Sequence, residues 1–416
     1  MTHKQKKQTS GKESLATDTG QIDELIRQKA KELHPYLVKV RRHLHRHPEI
    51  SNEEFETTKY LTNELAKIKL KPFPLKAPTG ILTELSGGLD GPTVAVRTDI
   101  DALPILEKTG LPFASTIDGR MHACGHDTHM ATVLGTAKLL AGIREYIPGN
   151  VRFLFQPAEE TPPGGARPLI EEGALENPTV CCILGLHVDP RVKTGKIGLR
   201  DGPTMASVTD INVAITGHSA HAARPQEGVD AIVVAAEIVG SLQRIVSRET
   251  DPLHPVALTI GKIEGGTARN VIASQAKLTM TLRALHGSDA KNARKAIVRC
   301  VNGVCKAYGA TGDVEVVAEY PALSNTPGVN QCFAESFTSL FGKNRVIETD
   351  QVLGGEDFAC YLEHVPGAQV RLGIRNPAIG ATEGWHSDRF VVDEEAIYYG
   401  VALMAKTVIV ALRSFS

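Results

Sequence analysis

Residues that can bind a divalent cation are concentrated between Met121 and His129, where the sequence reads MHACGHDTH. Cys124 and His126 are two residues apart, and Gly125 between them allows a sharp bend. A thiolate and an imidazole together favour zinc and other first-row transition metals over magnesium or calcium. A Cys-x-His pair alone is weak support for a metal site, because the same pair also arises from ordinary packing.

A pair of adjacent carboxylates follows an apolar segment further along the chain. Residues 150–155 read NVRFLF, and Glu159 and Glu160 follow after three intervening residues. Adjacent carboxylates point in different directions, so one can bind a metal while the other acts as a general base. Two solvated acids at the start of a loop are the alternative interpretation, and the pair alone does not decide between the two.

Two histidines occupy comparable places later in the chain. His187 ends the apolar run at 180–186, and His386 follows Trp385. A lone buried histidine is usually a core residue, so neither is informative alone. Five nitrogen, oxygen and sulfur ligands of this kind in one crevice, however, fit two metal ions that share a bridging water. The predicted metal ligands are Cys124, His126, Glu160, His187 and His386.

The histidine-rich segment RRHLHRHP at 41–48 provides a contrast. It contains His43, His45 and His47, yet it lies at the basic end of a predicted helix over 22–47. Protonated histidine is favoured there by the helix dipole. We therefore interpret this segment as structural rather than metal-binding.

The elements that must position the ligands alternate between strands and helices. Apolar runs at 93–97, 150–155 and 180–186 indicate buried strands, and residues 128–143 have the pattern of an amphipathic helix. This alternation predicts an α/β fold with a largely parallel, mixed sheet flanked by helices. Ligands bind at the carboxyl ends of the strands in such sheets, which is where the acids and histidines lie.

The pattern changes near Ser207. From there the predicted order is β-α-β-β-α-β, which is that of a ferredoxin-like split unit. We predict an inserted α+β domain over 207–320 and a catalytic domain formed by 21–206 and 321–416. Residues 1–20 are rich in Lys, Thr, Ser and Gln and are predicted to be a disordered tail.

Composition limits the classes of function. The chain has 416 residues, with 46 Lys and Arg against 47 Asp and Glu, and this balance predicts neither a nucleic-acid nor a membrane partner. No apolar run of about 20 residues indicates a membrane span. The N-terminus lacks the apolar segment of a secretory signal, and the seven cysteines form no regular framework. We therefore expect a cytoplasmic protein with reduced thiols.

Several motifs, taken in order, resemble those of one enzyme family. It is the amidohydrolase branch of the di-metal aminoacylase and carboxypeptidase superfamily, which includes hippurate hydrolases, N-acyl-L-amino-acid amidohydrolases and plant indole-acetyl-amino-acid hydrolases. The resemblance covers nearly all of the chain from Leu37 onward. The matching motifs are RRHLH (41–45), PE (48–49), DIDALP (99–104), HACGHD (122–127), QPAEE (156–160), GLHV (185–188), HAARP (221–225), NVI (270–272), GGEDF (354–358) and His386.

The resemblance implies roles for individual residues. The five predicted ligands would hold two divalent ions per subunit, with zinc, manganese, nickel and cobalt all open, and Glu159 would be the general base. His221 matches a residue that reaches a neighbouring active site across a homodimer and stabilises the oxyanion. Asn270 matches a polar residue near the substrate. Arg283 is a candidate for binding the substrate carboxylate, with a surface ion pair on a strand as the alternative.

One of the two acids at the end of the first predicted strand also distinguishes the branches of the superfamily. Other branches of the superfamily carry a histidine two residues before the equivalent of Asp101, whereas this chain has Asp99 there. The resemblance therefore favours the branch in which Cys124 supplies a ligand. We expect Asp101 to orient a metal ligand, with a plain acid at a strand end as the alternative.

These observations lead to one main functional hypothesis, the metal-dependent hydrolysis of the amide bond of N-acyl amino acids. The partner would be a small-molecule substrate, and the protein a homodimer or higher homo-oligomer. A dipeptidase or an N-carbamoyl amino acid hydrolase on the same site is the alternative. A metal-free cysteine hydrolase using Cys124 and His126, and an inactive binding protein on the same scaffold, are more distant ones.

Overall fold

The computed structural model describes residues 19–415 and divides into two compact units. Unit 1 takes its described residues from Met1–Gly202, Asn325–Asp350 and Cys360–Ser416. Unit 2 consists of Pro203–Ser324 and Gln351–Ala359. The predicted disordered tail lies outside the described residues, except for its last two residues, which begin the first helix. The predicted domain boundaries at 207 and 320 stay predictions.

Helices and strands alternate along the chain. The helices are α1 (Thr19–Arg46), α2 (Phe55–Ala66), α3 (His126–Ala141), α4 (Ala166–Glu171), α5 (Ala231–Arg244), α6 (Gly287–Tyr308), α7 (Pro327–Phe341), α8 (Ala359–Leu362) and α9 (Glu395–Ser414). The strands are β1 (Ile81–Ser86), β2 (Leu89–Asp99), β3 (Pro148–Gln156), β4 (Val180–Lys193), β5 (Ile197–Leu199), β6 (Gly202–Met205), β7 (Ser207–Thr216), β8 (Val256–Gly265), β9 (Gln275–Ala284), β10 (Thr311–Tyr320), β11 (Leu323–Asn325), β12 (Val346–Glu348) and β13 (Gly367–Arg375).

Unit 1 is built on a seven-stranded sheet in the order β1-β3-β2-β4-β13-β5-β12. The pairs β2–β3, β2–β4, β4–β13 and β5–β12 are parallel, whereas β1–β3 and β5–β13 are antiparallel. The central strands are buried along most of their length, as expected for parallel strands covered by helices on their faces. The predicted mixed, largely parallel α/β sheet is therefore confirmed.

The last helix, α9, is the core helix of unit 1. It packs against α1, α3 and α7. Its length and composition would also suffice to cross a membrane, which the sequence alone did not indicate. Most of its side chains are nevertheless buried inside the unit, and a helix that is apolar on all sides fits such a position.

The sheet brings the carboxyl ends of β2 and β3 beside the middle of β4, which continues to Lys193. Asp99, the last residue of β2, is in register with Gln156, the last residue of β3. On the other side, Arg97 of β2 is in register with Gly185 of β4, two residues before His187. The loops after β2 and β3 therefore leave the sheet close to His187, and the predicted site residues of unit 1 lie there.

Unit 2 contains a four-stranded antiparallel sheet in the order β10-β7-β9-β8. Helices α5 and α6 pack on it, and their apolar side chains share a core with the sheet. Strand β9 shows the alternation that such a sheet requires, with Leu278 and Met280 buried and Lys277 and Thr279 exposed. The role of this unit as a lid or dimerisation domain stays a prediction.

A buried ion-pair network joins α1 to the start of α3. Arg41 Nε donates to Asp127 Oδ2 at 2.7 Å, and both side chains are almost fully buried. His45 Nδ1 lies 2.8 Å from the same oxygen, and Arg41 also pairs with Glu394. Burial opposes ionisation of Asp127, but the charge of Arg41 and the contact with His45 outweigh it and hold the pKa of Asp127 well below its usual value. The network fixes the chain next to His126.

We expect Arg41→Ala to destabilise unit 1 by about 3–5 kcal/mol, because it leaves the Asp127 carboxylate buried without its main cation. Arg42→Ala is the matched control. Arg42 pairs with the same Glu394 at 2.6 Å, but its side chain is 46% exposed, so its loss should cost less than about 1 kcal/mol. Urea unfolding at neutral pH measures both. If both variants lost the same small amount of unfolding free energy, a stabilising role for the buried Arg41–Asp127 pair would be contradicted.

Candidate functional site

The structure brings all five predicted metal ligands together in unit 1. Cys124 Sγ lies 3.5 Å from His187 Nε2. Glu160 Oε1 lies 3.8 Å from His126 Nε2 and 3.4 Å from His386 Nε2. The ligand atoms form two overlapping groups, each with all members within 4.8 Å of one another. The first group is Cys124, His126 and His187, and the second is Cys124, Glu160 and His386.

The bend at Gly125 separates two of these ligands. Gly125 precedes α3 and has a φ of 93°, a left-handed conformation that side chains other than glycine rarely adopt. A Cβ atom at this position would lie only 2.5 Å from Val188 Cγ2. The residue therefore has to be glycine for two reasons, backbone conformation and lack of space. Its conformation lets Cys124 and His126 contribute to the same cluster.

The loop after β3 positions the two carboxylates. Ala158 has a φ of 52°, so the chain turns sharply just before Glu159. Two buried acids hold this turn, because Glu54 accepts a hydrogen bond from the Ala158 N–H at 2.8 Å and Asp101 accepts one from the Glu160 N–H at 2.9 Å. The turn places Glu160 among the ligands.

Glu159 lies beside the same cluster. One of its oxygens forms a group within 4.8 Å with ligand atoms of His126 and Glu160. Its side chain is half-buried, so it is open to small molecules while close to the ligand atoms. This is the position that a general base needs, within reach of a water held by its neighbours.

Asp101 orients the imidazole of His126. The Nδ1 atom of His126 lies 2.9 Å from the main-chain oxygen of Asp101 and 3.2 Å from its Oδ1. In the neutral ring, Nδ1 is therefore the nitrogen that carries the hydrogen, and Nε2 keeps an electron pair that can bind a metal ion. Ser51 donates to the other oxygen of Asp101 at 2.7 Å, which fixes the carboxylate. Asp101 thus connects the His126 ring to the Glu160 main chain.

Two buried ligand atoms lack a hydrogen bond. His126 Nε2 and Glu160 Oε1 make none with any residue between 19 and 415. A buried polar atom without a partner costs about 1–3 kcal/mol. Both atoms are electron-pair donors and they lie beside a cysteine sulfur, so a divalent transition-metal ion is the group that fits between them.

The electrostatics of the cluster also favour a positive charge. Burial, and then the charges of Glu160 and Glu159, raise the pKa of the Cys124 thiol well above its usual value. The pKa of His126 is raised to about 10, because the Asp99 and Asp101 carboxylates outweigh the opposing effect of burial. Buried acids thus surround the ligand atoms, and a bound cation would balance their charge.

Two sets of residues near the site were not predicted from the sequence. The first is the buried pair of Asp99 and His129, whose Oδ1 and Nδ1 atoms lie 2.7 Å apart. His129 follows His126 by three residues, and this spacing on one helix face could have indicated it. The second is Glu54, which contacts a loop 104 residues away, and no local pattern indicates it.

The remaining predicted residues lie in unit 2. His221 and Asn270 come from two exposed segments that meet, since the Ala222 N–H donates to the Asn270 carbonyl at 3.1 Å. Arg283 lies near the end of β9, and its Nη1 donates to the Leu353 carbonyl at 3.3 Å. Among the described residues Arg283 forms no ion pair, so the surface ion pair considered as its alternative role is not seen.

We expect Gly125→Ala to destabilise the protein more than the left-handed backbone alone can explain. That conformation costs a non-glycine residue about 1–2 kcal/mol, and the clash with Val188 adds to it. Gly119→Ala is the matched control, because Gly119 has a φ of 71° but nothing within 4 Å of its added Cβ. Urea unfolding compares the two variants. A loss for Gly125→Ala no larger than for Gly119→Ala would contradict the close packing against Val188.

Three comparisons relate the chain to known proteins. A family model described as peptidase family M20/M25/M40 matches residues 95–409. The N-acetylcysteine deacetylase of Bacillus subtilis is 39% identical over 390 residues, covering 92% of this chain and 99% of that protein. The IAA-amino acid hydrolase ILR1-like 2 of Arabidopsis thaliana is 36% identical over 405 residues, covering 96% of this chain and 91% of that protein. Among solved structures, the crystal structure of Bacillus subtilis YXEP is described as a dinuclear metal binding peptidase from the M20 family. It has a TM-score of 0.81 and 36% identity to this chain, and the match covers 92% of this chain and 99% of that one.

Proposed function

The chain belongs to peptidase family M20/M25/M40, and from this premise we propose that it is a metal-dependent amidohydrolase that cleaves the amide bond of N-acyl amino acids. The products are a carboxylic acid and an amino acid. Two relatives named as an N-acetylcysteine deacetylase and an IAA-amino acid hydrolase support this class of substrate. The relative described as dinuclear supports a site for two metal ions.

One observation carries the proposal. Five side chains with sulfur, nitrogen and oxygen ligand atoms converge at the strand ends, and two of those atoms are buried without a hydrogen bond in the described part of the chain. The half-buried carboxylate of Glu159 lies next to them. Most buried polar atoms in a protein core have a hydrogen-bond partner, and these two atoms also belong to one cluster of ligand atoms. A hydrolytic metal site accounts for the converging ligands, for the two atoms without a hydrogen bond and for the half-buried carboxylate beside them.

The proposed cofactors are two divalent cations per subunit. Cys124, His126, Glu160, His187 and His386 would hold them. When bound, the two ions would supply a positive charge that polarises the amide carbonyl and lowers the pKa of a shared water. The mixed ligand set fits zinc, manganese, nickel and cobalt.

The chain's own residues then move the proton. Glu159 accepts a proton from the attacking water and later gives it to the nitrogen of the leaving amino acid, so that one carboxylate serves both half-reactions. Asp101 keeps the His126 ring and the Glu160 main chain in place while this happens. The turn at Ala158, held by Glu54, orients the base.

We further infer that His221 acts on the substrate of a neighbouring chain in a homodimer or higher homo-oligomer, and that Asn270 lies near the substrate. The Nδ1 atom of His221 accepts the Ala223 N–H at 3.0 Å, so Nε2 carries the hydrogen that an oxyanion needs. Such a donor typically contributes about 3 kcal/mol to transition-state stabilisation. Unit 2 would serve as the lid and dimerisation domain, and Arg283 would bind the substrate carboxylate.

A cytoplasmic location accompanies the proposal. All seven cysteines lie within the described residues, and none of them forms a disulfide there. Reduced thiols are typical of the cytoplasm, and a thiolate ligand such as Cys124 also requires a reduced sulfur.

Metal removal tests the proposed function. We expect hydrolysis of N-acetyl-methionine or hippurate to stop after chelation and to return when a divalent metal is added, because the attacking water loses its activation without the ions. A panel of N-acetyl, N-benzoyl, N-carbamoyl and dipeptide substrates separates the proposal from its alternatives. Activity that survives complete chelation would contradict the proposal. Faster turnover of dipeptides or N-carbamoyl amino acids than of N-acyl amino acids would show that one of the alternatives is the correct substrate class.

Glu159→Gln tests the general base. We expect the variant to keep both metal ions and to lose about 10²–10⁴-fold in kcat, because glutamine cannot accept the proton. Glu160→Gln is the matched control and should lose metal as well as activity, because it alters a ligand. Elemental analysis of the purified protein measures the metal, and a stopped assay measures kcat. Glu159→Gln protein with normal metal content and normal kcat would remove Glu159 from this role.

A further inference from the structure

A chain of three groups connects the end of β2 to the middle of β4. The two strands are in register as far as Arg97 and Gly185. Beyond that point the connection passes through a side chain. Asp99 Oδ1 at the end of β2 lies 2.7 Å from His129 Nδ1, and the Val188 N–H of β4 donates to His129 Nε2 at 2.9 Å.

The hydrogen bonds fix the state of the His129 ring. A main-chain N–H can only donate, so His129 Nε2 must be the nitrogen without a hydrogen. Nδ1 then carries the hydrogen and donates it to Asp99. The second oxygen of Asp99 accepts from Arg97 Nη1 at 2.7 Å. Asp99, His129 and the Val188 N–H thus form a bridge in which every polar side-chain atom has a hydrogen bond.

This pairing separates His129 from the metal ligands. Ligand atoms of Asp99, His126 and His129 lie within 4.8 Å of one another, so distance alone would allow a third metal-binding group. His126 Nε2, however, makes no hydrogen bond within residues 19–415, whereas both His129 nitrogens do. An electron pair that already accepts the Val188 N–H cannot also bind an ion. His129 thus differs from His126 in function, although they are three residues apart on α3.

The bridge acts on His187 through the main chain of Val188. The Val188 oxygen lies 2.8 Å from His187 Nδ1 and accepts the Trp385 Nε1–H at 3.0 Å. His187 Nδ1 therefore carries the hydrogen, and its Nε2, 3.5 Å from Cys124 Sγ, keeps the electron pair. The N–H of Val188 is held by His129, and the oxygen of the same residue sets the orientation of the His187 ring.

We propose that His129 is a positioning residue, which together with Asp99 holds the Val188 main chain so that His187 Nε2 faces the other ligands. The inference rests on the proposed function, because it concerns how a metal ligand is oriented. It assigns a role to the third histidine of the segment MHACGHDTH without making it a ligand. Groups that orient a metal-binding histidine typically contribute 10–100-fold to metal affinity.

Two substitutions separate the two ends of the bridge. The amide of asparagine lies near the position of a histidine Nδ1, so His129→Asn keeps a donor for Asp99 but leaves the Val188 N–H unpaired. The amide of glutamine reaches the position of Nε2, so His129→Gln keeps an acceptor for Val188. Thr136→Val is the control, because it removes a buried hydroxyl group that bonds within α3, away from the bridge.

Co²⁺ titration of the full chain, followed by visible absorption and calorimetry, tests the proposal without any substrate. We expect two Co²⁺ ions to bind wild-type protein, His129→Asn to weaken one of them by about 10–100-fold with a changed absorption band, and His129→Gln to restore most of the affinity. Thr136→Val should bind Co²⁺ as wild type does, whatever its melting temperature.

Three results would overturn the inference. Wild-type affinity and absorption in His129→Asn, with only a lower melting temperature, would mean that the bridge stabilises the fold alone. Loss of one ion from both His129 variants would make His129 a ligand. Wild-type protein that binds no Co²⁺ would remove the proposed function, and the inference with it.

If His129→Asn does not fold, Asp99→Asn loosens the bridge from its other end, and unchanged Co²⁺ affinity there would likewise contradict the proposal.

Discussion

A buried group of electron-pair donors needs a positive charge among them, and the arrangement of unit 1 depends on this constraint. The cysteine sulfur, the Glu160 carboxylate and the imidazole nitrogens converge at the strand ends. Main-chain oxygens orient two of the rings. The oxygen of Asp101 contacts Nδ1 of His126, and the oxygen of Val188 contacts Nδ1 of His187, so the Nε2 atom of each neutral ring keeps its electron pair. The orientation of the ligands is therefore set by hydrogen bonds that the ions themselves do not provide.

The buried acids around this group each have their own donors. Asp127 is paired with Arg41 and His45, and Asp99 with His129 and Arg97. Unpaired, these carboxylates would compete for the ions or would have to be protonated, because burial of an unpaired charge is costly. The ion pairs hold the first turn of α3 and the end of β2 in place. The structure thus separates acids that fix the scaffold from Glu159 and Glu160, which face the ligand cluster.

Much of this arrangement could be predicted from the sequence. Apolar runs that end in acids or histidines indicated β2, β3 and β4, and parallel strands bring such ends together, so the convergence of Cys124, Glu160 and His187 followed from topology. The bridge through His129 could not be predicted, because it depends on a main-chain N–H at a point where strand pairing stops. Glu54 was missed because its contact with Ala158 is long-range. The antiparallel pairs β1–β3 and β5–β13 were also not predicted, since β1 and β5 are short and carry little pattern.

The central claim is that the five converging side chains hold two ions. Anomalous X-ray diffraction from crystals of the protein grown with Co²⁺ or Zn²⁺ tests it most directly. The account predicts two peaks about 3.5–4 Å apart, bound by Cys124 Sγ, by the Nε2 atoms of the three histidine ligands and by Glu160, with Glu159 beside them and His129 still bonded to Val188. A single peak, or a peak bound by Asp99 and His129 without Cys124, would contradict it.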